Sequence, residues 1–328
     1  MPKNRRTVIQ ALKKRFASFT ARFLAYQLRR YGRTTVSVGN RENNTINPHK
    51  LNEKIGIVFQ GPIKTKEDLE YIRHSIENLK NVVDAENIIV STWREPKQIA
   101  RELEDICHVV QNVDSSKLMN SERQMISALA GIDRLAHKNV DFVAKLRVDQ
   151  RFDWHKTFTT ALSLLRTFGE NRIIFASNNS FKYRPFGLSD MFTFGKISNS
   201  RIFWDALDCP KGDSRELTFK YDFAPWYQAN STLWTESFLN INYALKKNFE
   251  FSSDIYLDYI NYIRKYTCII DSDNHGHNWR KLKSHFQGST EKMLFNRHHP
   301  ITIQEWSFLD WFRIYENVYT DTHPEILF

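Results

Sequence analysis

Between residues 55 and 176, short apolar runs alternate with stretches of helical period. No other feature constrains the fold as much. Ile55-Gly-Ile-Val-Phe59, Ile88-Ile-Val-Ser-Thr-Trp93, Cys107-His-Val-Val110, Phe142-Val-Ala-Lys-Leu-Arg147 and Ile173-Ile-Phe-Ala176 read as buried strands. Residues 66–80 carry Leu69, Ile72, Ile76 and Leu79 at helical spacing, and residues 120–137 carry Met125, Ile126, Leu129, Ile132 and Leu135. Shorter helices are expected over 95–104 and 155–168. Strands buried on both faces read as unbroken apolar runs, and helical crossovers let them run parallel. The pattern therefore predicts an α/β domain with a mostly parallel central sheet and helices on both faces. Beyond residue 177 the pattern is mixed. An aromatic strand is expected at Met191–Gly195, a helix starting near Glu236, a helix over 254–265, a β-run at 266–270 and a helix over 304–317. No internal repeat and no second composition boundary divides residues 54–328, which read as one domain.

Charge sets the N-terminal arm apart. The chain of 328 residues has 47 Lys and Arg against 37 Asp and Glu, a net charge of +10. Ten of the cations lie in residues 1–33, where there is no acidic residue, so the rest of the chain is neutral overall. That distribution argues against a nucleic-acid-binding body, which needs basic charge across a face. Within the arm, Val8, Leu12, Phe16, Phe19, Phe23 and Tyr26 form one helical stripe with Lys and Arg around it. A basic amphipathic helix of this kind suits an anionic membrane surface, or docks on the body as an ordinary surface helix. Residues 34–53 read as a polar linker. No apolar run is long enough to span a membrane, and no secretory leader is recognisable. The three scattered cysteines point to a reducing compartment. Location at the inner face of the cytoplasmic membrane is the expectation.

Ligands of open parallel sheets bind beyond the carboxyl ends of the strands. That rule selects four clusters. Gln60-Gly61-Pro62 ends the first strand, where glycine permits close backbone approach and proline fixes a turn. Lys145, Arg147, Asp149 and Arg151 follow the fourth and share one side if the segment stays extended. Three cations around one carboxylate fit a diphosphate, and Asp149 offers a hard oxygen to Mn²⁺ or Mg²⁺. Arg123 and Gln124 open a helix, where a bound anion would offset the arginine's unfavourable place near the dipole's positive end. Glu236 at a helix start is a candidate general base, and Asp190, before the aromatic strand, a candidate for orienting an acceptor. Asp271, Asp273, His275 and His277 imitate a metal cluster but also read as a polar surface turn. His298-His299-Pro300 reads as a loop.

Taken in order, Phe59-Gln60-Gly61-Pro62-Ile63, Ser91-Thr-Trp93, Asn120-x-x-Arg123-Gln124 with Gly131, Lys145-x-Arg147-x-Asp149-x-Arg151, Ser189-Asp190 with Gly195, and Glu236 resemble the WavE lipopolysaccharide-synthesis family. The resemblance implies a Rossmann-like, GT-A-like glycosyltransferase acting in bacterial lipopolysaccharide, capsule or other surface polysaccharide assembly. It implies a nucleotide-sugar donor and a lipid-linked or oligosaccharide acceptor. It also implies a divalent ion at an Asp-x-Asp motif, whose place here reads Arg147-Val148-Asp149. Glu236, 87 residues after Asp149, stands where inverting members of that class carry the catalytic carboxylate. A non-catalytic nucleotide-sugar or glycan-binding protein with the same fold is the alternative.

Overall fold

The computed structural model describes residues 50–94, 97–113, 120–182, 184–205, 235–280 and 305–319. The amphipathic arm, nearly all of the linker and His298-His299 lie outside the described residues.

The first half follows the expected alternation: β1 (Ile55–Gln60), α1 (Lys66–Leu79), β2 (Ile88–Trp93), α2 (Lys97–Glu104), β3 (His108–Asn112), α3 (Asn120–Ala136) and β4 (Phe142–Arg147). Helix α1 starts at a reciprocal capping box, in which Thr65 Oγ1 accepts from the Asp68 N–H and the Asp68 carboxylate accepts from the Thr65 N–H. A short β5 (Gln150–Arg151) precedes α4 (Trp154–Phe168), β6 (Ile173–Ala176), β7 (Thr193–Lys196) and α5 (Ile197–Trp204). Then come α6 (Thr235–Lys246), α7 (Ile255–Tyr266), β8 (Thr267–Ile270), β9 (Asn278–Trp279) and α8 (Phe308–Tyr315).

Seven strands form one sheet in the order β3-β2-β1-β4-β7-β6-β8. Every neighbouring pair is parallel except the two that involve β7. The expected mostly parallel α/β sheet is therefore present. Strand alternation assigns its two faces. Val58 points to α3, where Gly131 sits so close that an added Cβ would lie 2.5 Å from Val58 Cγ1. A helix can approach β1 that closely only because residue 131 has no side chain. Phe59 points the other way, to Trp154 of α4, with ring centroids 6.2 Å apart. Helices thus cover both faces.

Three local expectations change. Arg147 ends β4, and a turn at Val148-Asp149 breaks the extended run that was to align residues 145 to 151. Helix α8 is shorter than the expected 304–317, because Ser307 caps it in a box with Asp310. Helix α5 and the β5–β9 pair were not expected, the latter because two-residue strands leave no periodic signal. No helix among the described residues is long and apolar enough to cross a membrane.

Candidate active site

The antiparallel strand β7 explains how distant residues come together. The carboxyl ends of β1, β4, β6 and β8 share one edge of the sheet, and β7 begins at that edge. Asp190 precedes β7, so it reaches the same edge as Arg147, which ends β4. Asn179, just after β6, arrives there as well.

Helix α3 runs back across β1. Leu135 lies against Gly56 and Gly131 against Val58, so the start of α3, with Arg123 and Gln124, rises over the carboxyl end of β1. Gly61 has φ of +136°, a backbone that favours glycine, and its N–H donates to the Ser91 carbonyl at 3.2 Å. Pro62 is exposed. Among the described residues, Gln60 Oε1, Gln124 Oε1 and Ser121 Oγ are buried with no hydrogen-bond partner. Unmatched polar atoms are costly inside a protein and mark where a polar ligand would be favoured.

Asp149 is 3% exposed and fully engaged. Arg147 Nε donates to its Oδ1 at 3.0 Å and Arg147 Nη2 to its Oδ2 at 3.4 Å, while Trp279 Nε1 donates to Oδ2 at 3.1 Å. Burial opposes the charge of Arg147, yet the Asp149 carboxylate beside it holds the guanidinium above its ordinary value. This arrangement tests the fit of a divalent ion. Both oxygens of Asp149 already face N–H donors. No group of three His, Cys, Asp or Glu that could hold a metal occurs among the described residues. The donor set does not fit Mn²⁺ or Mg²⁺ here.

Arg151 leaves this cluster. It donates to Ser75 Oγ and the Tyr71 carbonyl of α1 and lies 3.7 Å from the centre of the Tyr71 ring. There it lines a cavity of about 480 Å³ with Lys66, Glu67, Glu70, Tyr71 and Arg280. The cavity sits between the start of α1 and the β5–β9 ribbon. It adjoins Asp149 through Arg151, two residues along the chain, and through Arg280, whose N–H donates to the Asp149 carbonyl at 3.0 Å. It is a depression broadly open to solvent.

Glu236 opens α6, with 16% of its side chain exposed. Asn179 Nδ2 donates to its Oε1 at 3.0 Å, and Arg184 Nη1 stands 3.9 Å from its Oε2. Burial, and next the Asp190 carboxylate, raise its pKa above the usual carboxylate range, against the opposing pull of Arg184 and Asn179. A carboxylate with raised proton affinity near a second carboxylate is suited to proton transfer. Lys145 is enclosed on the α5 face of the sheet, where its ammonium donates to the Asp190 carbonyl at 2.5 Å.

The Asp271–His277 loop does not converge on a metal. Asp271 Oδ1 accepts from the Phe308 N–H at 2.9 Å, and His275 Nδ1 lies 2.8 Å from the Asp271 carbonyl. His277 stacks on Phe152 at 4.6 Å and contacts Gln150 Nε2 at 3.2 Å. Burial depresses its pKa to about 4, despite Asp273 and Asp149 nearby, so it is neutral at pH 7.

Of the expected residues, Arg147 and Asp149 meet directly, and so do Lys145 and Asp190. Glu236 feels the field of Asp190, whereas Arg151, in β5, turns away to α1. Sequence reading missed Arg184, Asn179 and Trp279. Asn179 had a usable signal, since it follows the carboxyl end of a buried strand; Trp279 had none, because a two-residue ribbon places it.

Comparison with known proteins gives a match to the family described as WavE lipopolysaccharide synthesis, over residues 55–327. The chain belongs to this family. The match covers most of the chain and all of the residues assembled above. No curated protein matches. Among solved structures, a cytidylyltransferase from Leptospira borgpetersenii serovar Hardjo-bovis is 13% identical, with 83% of this chain and 100% of that one covered and a TM-score of 0.34. A putative glucose-1-phosphate thymidylyltransferase from Bacillus anthracis is 10% identical, with coverages of 60% and 85% and a TM-score of 0.35. A mannose-1-phosphate geranyltransferase from Thermus thermophilus is 13% identical, with 38% of this chain and 41% of that one covered and a TM-score of 0.29. Scores this low leave the fold of this WavE protein resting on its own strand order.

Proposed function

We propose that this WavE protein is a glycosyltransferase of GT-A type that moves a sugar from a nucleotide-sugar to a hydroxyl of a lipid-linked or oligosaccharide acceptor. Bacterial lipopolysaccharide or capsule is the product class. The observation that carries the reading is the order of groups along one sheet edge. A depression rimmed by Tyr71, Arg151 and Arg280 borders the Asp149 backbone, and Asp149 is bonded to Arg147 and Trp279. Asp190 and the proton-binding Glu236 follow.

In this reading the nucleoside occupies the depression and the diphosphate lies against Arg147. Gln60, Gly61, Arg123 and Gln124 line the β1 side of the donor. Glu236 takes the proton from the acceptor hydroxyl as its oxygen attacks the anomeric carbon. The bond from that carbon to the diphosphate breaks, the electron pair leaves with the diphosphate, and Arg147 stabilises the developing charge. Attack from the side opposite the leaving group inverts the anomeric centre. Asp190 orients the acceptor. Asp149 serves by fixing Arg147, so transfer proceeds without a divalent ion. The basic arm, residues 1–33, holds the enzyme at the anionic inner face of the cytoplasmic membrane, where a lipid-linked acceptor resides.

The test is product formation from a panel of nucleotide-sugars in EDTA, comparing the wild-type protein with Glu236→Gln. Transfer or donor hydrolysis that disappears in the variant supports the assignment. Donor binding without turnover would sink it and favour a binding protein. Deleting residues 1–33 is expected to abolish sedimentation with anionic vesicles while leaving turnover on soluble acceptor.

A further inference from the structure

Lys145 is the least expected residue of the sheet. It stands in the middle of β4, paired in register with Val58 of β1 and Thr193 of β7. None of its surface is exposed. A methionine would fill similar space with no charge to desolvate, so packing alone gives no reason for a lysine. Its ammonium lies 4.3 Å from the centre of the Trp204 ring and donates to the Asp190 carbonyl at 2.5 Å. Trp204 is itself fixed, since its indole N–H donates to Thr193 Oγ1 at 3.2 Å. Enclosed in this way, the ammonium has no route to a diphosphate. What it reaches is the backbone of Asp190, the residue whose carboxylate charge acts on both Arg147 and Glu236.

We propose that Lys145 is a positioning residue that ties down the Asp190 backbone, keeping the Asp190 carboxylate where its charge acts on both Arg147 and Glu236. The proposal rests on the reading of Glu236 as general base. It adds a device that couples the donor-side cation to the acceptor-side base through one buried hydrogen bond. The charged groups facing Lys145 are Asp190, Arg147 and Asp149; those facing Glu236 are Asp190 and Arg184. Burial pushes the lysine pKa down to about 7, with Arg147 adding to the shift and the two carboxylates opposing it. The site therefore tolerates the lysine at a cost that a purely structural residue would not carry.

The test uses the full chain carrying ¹³C-carboxyl glutamate, with Glu236→Gln to identify the Glu236 signal. In Lys145→Met, Asp190 relaxes away from Glu236, and the Glu236 titration midpoint falls by about one pH unit. Asp190→Asn keeps the backbone carbonyl but removes the charge; it lowers the midpoint comparably, and the double variant adds nothing further. At pH 6 Lys145→Met melts no lower than wild type, because a buried charge has gone. Between about 7 and 10.5 the unfolded lysine holds a proton that the folded one has lost, so wild-type stability rises with pH and the gap closes. Any acid limb in donor turnover moves with the midpoint. An unchanged midpoint together with a lower melting temperature, or a Lys145→Met protein that does not fold, would overturn the proposal in favour of packing. If wild type turns over no donor, the transferase reading fails while the midpoint still decides the role of Lys145.

Discussion

Two carboxylate–arginine pairs stand along the same sheet edge, and they are built differently. Asp149 is held by two nitrogens of Arg147, the nearer at 3.0 Å, and by the Trp279 indole at 3.1 Å. Among the described residues, Glu236 meets the Asn179 amide and a backbone N–H, with an arginine at 3.9 Å and a second carboxylate in its field. In the first pair, direct hydrogen bonds fix the orientation of the guanidinium against the carboxylate. In the second, burial, and next the Asp190 carboxylate, outweigh Arg184, so its carboxylate has a raised affinity for protons. The two carboxylate–arginine pairs thus differ in kind: direct hydrogen bonds join the first, whereas burial, and next the Asp190 carboxylate, set the proton affinity of the second.

The largest expected effect tests the second pair. Glu236→Gln should lower transfer by about 10²–10⁴-fold, the usual worth of a general base. It should also leave the fold at least as stable at neutral pH. The sign follows from the raised pKa: between the unfolded value of 4.5 and the folded value, the folded protein binds the extra proton. Stability therefore falls as pH rises through that window, and above it the ionised carboxylate is a standing cost that glutamine removes. A variant that is inactive and melts lower would break the comparison.

Next in size is the first pair. Arg147→Met strands Asp149 in a buried site and should destabilise the fold by about 3–5 kcal/mol in chemical denaturation. Adding Asp149→Leu should restore most of the stability but not donor binding, which separates the structural part of the pair from its function. A smaller effect is expected for Trp279→Phe, which removes one hydrogen bond to a charged group, about 1.5–3 kcal/mol at most. Isothermal titration should show it as weaker donor binding with unchanged turnover at saturation. The mildest test is pH. The turnover rate should fall on the acid side with a midpoint above the ordinary glutamate value of 4.5, and Asp190→Asn should move that midpoint down.

The parallel half of the fold was legible because β1, β2 and β4 are buried on both faces and write themselves as apolar runs, while the edge strand β3, largely half-buried, left only a short one. Gly131 entered only through the resemblance, and its role, letting α3 approach β1, became visible in the structure. Arg147, Asp149 and Glu236 could be picked out by the strand-end rule and by the resemblance. Their partners could not. Arg184 comes from a loop, and Trp279 from a ribbon two residues long. Asp190 reaches the site only because β7 runs against its neighbours, a fact that no local pattern encodes. Lys145 was read as a phosphate ligand because alternation along an extended strand put it beside Arg147. It does share that face of β4, but α5 covers it, and α5 had not been foreseen.

The most direct measurement is a thermal-shift panel of UDP-, GDP-, CMP- and dTDP-sugars with wild type and Arg147→Met, each in EDTA and in Mn²⁺. The account predicts that one nucleotide class raises the melting temperature of wild type equally in both buffers, and that the rise is lost in Arg147→Met. Stabilisation that appears only with Mn²⁺, or that survives in Arg147→Met, would contradict the claim that Arg147, bonded to Asp149, holds the donor diphosphate.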